Sequence, residues 1–216
     1  MRTDDLIEML STNVEPVTRH GHVEIRRIVL LTIAASATAA IGSTVLLFGV
    51  RPDLANFAAS AFLALKMLFA VGVIAVASLC LARLARPGGE RTVSTATAVL
   101  PVAAVVALAA GSLFLTSPAH WNQAVVGHHW LECVLSIPLI AVIPMAATFW
   151  VVRRMAPTDL VQAGALAGMV AGGVGAAGYA LHCTDDSLPF IAVWYGGAIA
   201  LCALVGAVVG PRLLRW

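Results

Sequence analysis

Six long apolar stretches separated by short polar breaks dominate the chain, at residues 28–48, 57–81, 93–115, 131–152, 158–181 and 188–209. Each holds 21 to 25 residues, and a helix needs about 20 to cross the ~30 Å hydrocarbon layer of a membrane. None alternates with a period of two, as the strands of a membrane barrel would. Within lipid a helix satisfies its own backbone hydrogen bonds, so the pattern predicts six transmembrane helices in an all-α bundle. Pro101, Pro138 and Pro144 fall inside the third and fourth stretches and predict kinks there. Gly164, Gly168 and Gly172 recur every four residues, which predicts a smooth helix face for close packing inside the bundle.

Composition narrows the class. Hydrophobic residues make up 60% of the 216, and only 24 residues are charged, 13 basic and 11 acidic. Too few charges are present to cover the surface of a water-soluble enzyme, where about a quarter of residues are charged. A net charge of +2 gives no field for nucleic acid. The hydrophobicity excludes disorder, and four cysteines do not make a disulfide-stapled mini-domain. The chain is expected to be an integral membrane protein.

Arginine placement sets the orientation. With the N-terminus inside, eleven arginines fall on inner segments (Arg2, Arg19, Arg26, Arg27, Arg83, Arg86, Arg91, Arg153, Arg154, Arg212 and Arg215), against Arg51 alone outside. That bias predicts both termini in the cytoplasm. The start of the first stretch, with Arg26-Arg27 and the small residues Ala35-Ser36-Ala37, has some features of a cleavable signal peptide. Its apolar run continues to Phe48 and an acid-containing segment precedes it, so a retained span is expected. The chain thus divides into a cytoplasmic segment, 1–27, and a six-helix membrane domain, 28–216.

Segment 1–27 is chemically distinct, carrying nine of the 24 charges. Residues 3–14 predict a helix: Thr3 can cap it, and Asp4 and Asp5 suit its first turn. Leu6, Ile7, Leu10 and Val14 line one side at helical spacing, and Pro16 ends it. Two readings stand level. One is a solubilising tail; the other is a ligand for the groove of a cytoplasmic protein, with Asp4, Asp5, Leu6, Ile7 and Leu10 making the contact.

The outer side gathers the remaining chemistry. Gly127-His128-His129-Trp130-Leu131-Glu132-Cys133 and His182-Cys183-Thr184-Asp185-Asp186 bring imidazoles, thiols and carboxylates to one face, with His120 nearby. Thiolate and imidazole suit soft or borderline metals, and an oxidising face equally suits a Cys133–Cys183 disulfide. No paired Cys-x-x-Cys spacing selects between them. The plainer reading is that the polar residues satisfy helix ends while Cys133 packs as a small hydrophobe, as Cys80 and Cys202 are expected to do. Lys66 lies within the second stretch, where a charge is costly and needs a partner. Glu132, Asp185 and Asp186 are its candidates, which points to an ion pair rather than to a transport relay.

These residues carry a resemblance. Met1-Arg2-Thr3-Asp4-Asp5-Leu6-Ile7, then Trp130-Leu131-Glu132-Cys133 with Ile137-Pro138, then His182-Cys183-Thr184-Asp185-Asp186 followed by Trp194-Tyr195 resemble the NrsF-type family of six-span inner-membrane anti-sigma factors. The resemblance implies a multi-pass protein of the bacterial inner membrane and no enzyme. Such a protein sequesters an extracytoplasmic-function sigma factor on the cytoplasmic side and releases it on an envelope stimulus, heavy-metal or thiol stress. The family's paired outer cysteines correspond to Cys133 and Cys183, with His128, His129, Glu132, His182, Asp185 and Asp186 around them. It implies no resident cofactor, a heavy-metal ion being at most a transient ligand. Two other classes, a small metal or solute transporter and a membrane thiol oxidoreductase, remain as alternatives.

Overall fold

The computed structural model describes residues 3–12, 19–84, 95–155 and 157–215, with backbone alone at 4, 6, 10, 12, 19–26 and 95. Among the described residues there is no strand. Helix α1 spans Thr3–Thr12, α2 Arg19–Leu47, α3 Phe57–Leu84 and α4 Leu100–Phe114. A short α5, Trp121–Val126, precedes α6, Trp130–Met155, and α7 runs Leu160–Ala180. The last span joins α8, Leu188–Phe190, through a π turn at Ile191–Tyr195 to α9, Gly196–Leu213. Two compact units divide at Leu31, the smaller holding α1 and the start of α2.

Six helices among the described residues are long and apolar enough to cross a membrane. They match the six stretches in order, with different ends. Helix α2 extends back to Arg19, and no proline interrupts the sequence between it and residue 28. The expected end of α1 at Val14 and Pro16, and the basic connector containing Arg86 and Arg91, lie outside the described residues.

The expected kink at Pro101 does not arise. Pro101 stands in the first turn of α4, where a backbone N–H would have no partner within the helix, so its loss is free. The residues before it, Thr95–Val99, wind as a 3-10 turn. Pro138 and Pro144 do lie inside α6, which runs helical through both.

Helix α7 is the axis of the larger unit, and its glycines explain why. An ideal Cβ at Gly164 or Gly168 would collide with the backbone of α9, at Gly206 and Cys202 respectively. Gly173 faces Ala70 and Ile74 of α3, Gly175 faces Ile137 and Ala141 of α6, and Gly178 faces Ala40 of α2. Lipid is as apolar as leucine, so helices in it associate by close backbone contact, which small residues permit. Large apolar side chains instead point outward: Leu46, Phe57, Phe114 and Leu115 are each more than four-fifths exposed. That inside-out distribution suits a hydrocarbon solvent.

Candidate functional site

Three connectors meet at one end of the bundle. The backbone N–H of Arg51 donates to Leu181 O at 3.0 Å. Ser187 Oγ donates to Ala124 O at 2.6 Å, and Trp194 Nε1 to Val125 O at 2.7 Å. These bonds lock the segments after α2, after α4 and after α7 together. The Trp130 and Trp194 rings lie 5.0 Å apart.

The segment Cys183–Asp186 is the hub. Lys66, fully buried as the tenth residue of α3, donates from Nζ to Asp186 Oδ1 and to the carbonyl of Cys183, both at 2.9 Å. Of its three candidate partners the fold selects Asp186. Arg51 Nη1 donates to the same two acceptors, at 3.0 Å to Asp186 Oδ1 and 3.1 Å to Cys183 O. Its Nη2 reaches Asp186 Oδ2 at 2.6 Å, while Nε and Nη2 hold Asp53 at 2.6 and 2.8 Å. Two cations and two carboxylates close a neutral cluster, the condition for burying such charges. The Arg51 hydrogen bonds hold the Asp53 carboxyl below its ordinary range, and donating them to Asp53 and then to Asp186 pushes the guanidinium up. Sequence reasoning missed Arg51 and Asp53. The signal available was that Arg51 is the sole arginine that the sequence pattern assigns to the outer side.

The other expected site residues fall into separate roles. Asp185 accepts from the backbone N–H of His128 at 3.1 Å and of His129 at 2.8 Å, closing the start of α6. His129 Nδ1 lies 3.2 Å from Glu132 Oε2 on the exposed surface. His182 turns away, its Nδ1 3.3 Å from Gly49 O and its ring against Phe48 and Tyr179. Cys133 and Cys183 are both buried free thiols, and both belong to one large apolar cluster that also holds Tyr179 and Tyr195. Among the described residues no group of three His, Cys, Asp or Glu side chains is arranged to hold a metal ion. Cys80 and Cys202 are buried among packed helices. Beside the hub an open cleft of about 260 Å³ is lined by His120, Gln123, Gly127, His128, Asp185 and Asp186.

Known proteins place the chain. The family described as negative regulator of sigma F, NrsF, matches residues 10–216. The chain belongs to the NrsF family. One relative, a probable anti-sigma-F factor NrsF of Azospira oryzae, is 32% identical over the full length of both chains. Another, the anti-sigma-F factor NrsF of Caulobacter vibrioides, is 31% identical, again over the full length of both. No solved structure matches.

In this NrsF-family chain the cluster that holds both thiols also holds polar groups. Among the described residues the buried Tyr179 hydroxyl has no hydrogen-bond partner, and the Lys66 ammonium sits 5.9 Å from the centre of the Tyr195 ring. Tyr195 closes the π turn, an irregularity that recurs at functional sites.

Proposed function

We propose that this chain is a membrane-bound anti-sigma factor. It holds an extracytoplasmic-function sigma factor at the cytoplasmic face of the inner membrane and releases it when heavy-metal or thiol stress reaches Cys133 and Cys183. The observation that carries the reading is membership of the NrsF family across residues 10–216, joined by relatives named anti-sigma-F factors. Six helices able to span a membrane support its place there, and the arginine bias supports both termini inside. The presence of Cys133 and Cys183 in the same buried cluster supports a common sensing role.

The sigma factor docks on α1 through Asp4, Asp5, Leu6, Ile7 and Leu10. Ile7 is about three-fifths exposed, so one apolar side chain of this face is open to a partner. The side chains of Asp4, Leu6 and Leu10 lie outside the described residues. A transport relay through Lys66 finds no support, since its ammonium is engaged by Asp186 and the Cys183 carbonyl.

The test is co-purification from the native host together with target transcription. Leu6→Asp combined with Leu10→Asp is expected to lose the sigma factor and raise transcription while the protein stays in the membrane. Cys133→Ser and Cys183→Ser are each expected to blunt induction by a thiol-reactive metal. The double variant should be no worse than either alone, because two halves of one site do not add. Full repression by the α1 double variant, with sigma factor still bound, would remove α1 as the docking element. A normal dose response in the cysteine double variant would remove the sensor.

A further inference from the structure

We propose that Asp186 is a latch that shelters the thiol of Cys183 and ties the segment carrying it to α3. This inference rests on the reading of Cys183 as a sensor and names the residue that positions it. The geometry is specific. Two cations from different places in the chain, Arg51 after α2 and Lys66 in α3, donate to the same two acceptors, the Cys183 carbonyl and the Asp186 carboxylate. The backbone of the sensor cysteine is therefore held by the same pair of cations that Asp186 neutralises.

The cluster is redundant in its cations and not in this anion. Without Lys66, Asp186 keeps the two bonds from Arg51, and the Cys183 carbonyl keeps one. Without Asp186, Arg51 keeps Asp53, but among the described residues Lys66 retains only a neutral carbonyl as hydrogen-bond partner while its side chain is fully buried. An uncompensated ammonium in an apolar interior is costly, and breaking one half of a buried pair is far worse than replacing both halves. The relief open to Lys66 is water, admitted between α3 and the 183–186 segment, which exposes the adjacent thiol. Helix α3 then links the event to the far end of the bundle. It runs unbroken from Phe57 past Lys66 to Leu84, just before the basic connector. Packed helices move as rigid bodies between discrete arrangements rather than deforming smoothly, so a shift at Lys66 is felt at Arg83.

The latch is tested by reactivity rather than by regulation alone. In permeabilised native membranes, full-length protein with Cys183 as its single cysteine (Cys80→Ala, Cys133→Ala, Cys202→Ala) is labelled with a water-soluble maleimide. Asp186→Asn is expected to raise the labelling rate about tenfold or more, the scale of 1.4 kcal/mol in an opening equilibrium. Lys66→Met should leave it within about threefold of the parent, and Lys66→Met with Asp186→Asn should return it to that range, as a coupled pair does. A matching protein with Cys202 as the single thiol reports on the α7–α9 contact and should label at the parental rate in every variant. Three results overturn the latch: Asp186→Asn within about twofold of the parent, Cys202 exposed as much as Cys183, or a double variant no better than Asp186→Asn. Target transcription is read alongside, with Asp186→Asn placed in the chain that keeps all four cysteines, so that loss of Cys133 does not itself blunt induction. If labelling follows the expected pattern while Asp186→Asn leaves transcription and its induction unchanged, the latch stands and the sensor reading of Cys183 falls.

Discussion

Asp185 caps a helix from across the fold: its Oδ2 accepts the backbone N–H of His129 at 2.8 Å, 56 residues away in sequence. Both Oδ atoms also lie within 3.2 Å of the His128 nitrogen. The residue before them, Gly127, has φ of 63°, and a Cβ there would collide with Phe190 and Asp185. The tight turn and the carboxylate are therefore one device, which holds the start of α6, and so Cys133, beside the segment bearing Cys183.

Replacing that carboxylate has a definite cost. Asp185→Ala removes the acceptor for the N–H groups ahead of α6 and should cost about 1 kcal/mol, at most about 2, as lost helix caps do. Asp185→Asn keeps an acceptor oxygen and should cost less. Thermal unfolding of the detergent-solubilised protein distinguishes them. Equal melting temperatures for Asp185→Ala and the parent would mean that the capping bonds carry no net stability.

Glycines of α7 and α4 should respond with opposite signs. Gly168→Ala places a methyl group against the backbone of Cys202, where neither helix can yield without parting. A loss of about 1–3 kcal/mol is expected, the usual range for overpacking. Gly111 in α4 has nothing within 4 Å of an added Cβ, so Gly111→Ala should be neutral or gain up to about 1 kcal/mol from reduced backbone freedom. Melting temperatures that fall for both variants would contradict the packing described for α7.

Acid stability should depend on Asp53. The hydrogen bond from Arg51 lowers its folded-state pKa below the ordinary 3.8. The unfolded chain therefore takes up the proton first as pH falls. The stabilising contribution is complete above the ordinary pKa and is lost as pH drops through the lower folded value. Stability attributable to this residue is thus flat above about pH 5 and declines below about pH 4. In Asp53→Asn that part of the acid dependence should vanish, leaving a shallower slope in acid unfolding. An unchanged slope would show that Asp53 does not titrate differently in the folded protein.

The helical class, the number of apolar stretches and the inward role of the Gly164–Gly168–Gly172 face were all legible without coordinates. Each depends on local spacing: run length against hydrocarbon thickness, and small residues at one turn's interval. The need of Lys66 for a carboxylate was legible too, because burying an ammonium demands compensation wherever it lies. Which carboxylate answers it was not. Asp185 and Asp186 are neighbours of identical chemistry, yet one caps α6 and the other binds Lys66. That division depends on how the 183–186 segment passes between α3 and α6, a long-range relation that no local pattern encodes. Arg51 was hidden for the same reason, since its partner Asp186 lies 135 residues away. Sequence alone determined which elements form and which charges need partners. Tertiary structure decided who those partners are, because pairing across helices is set by packing and not by periodicity.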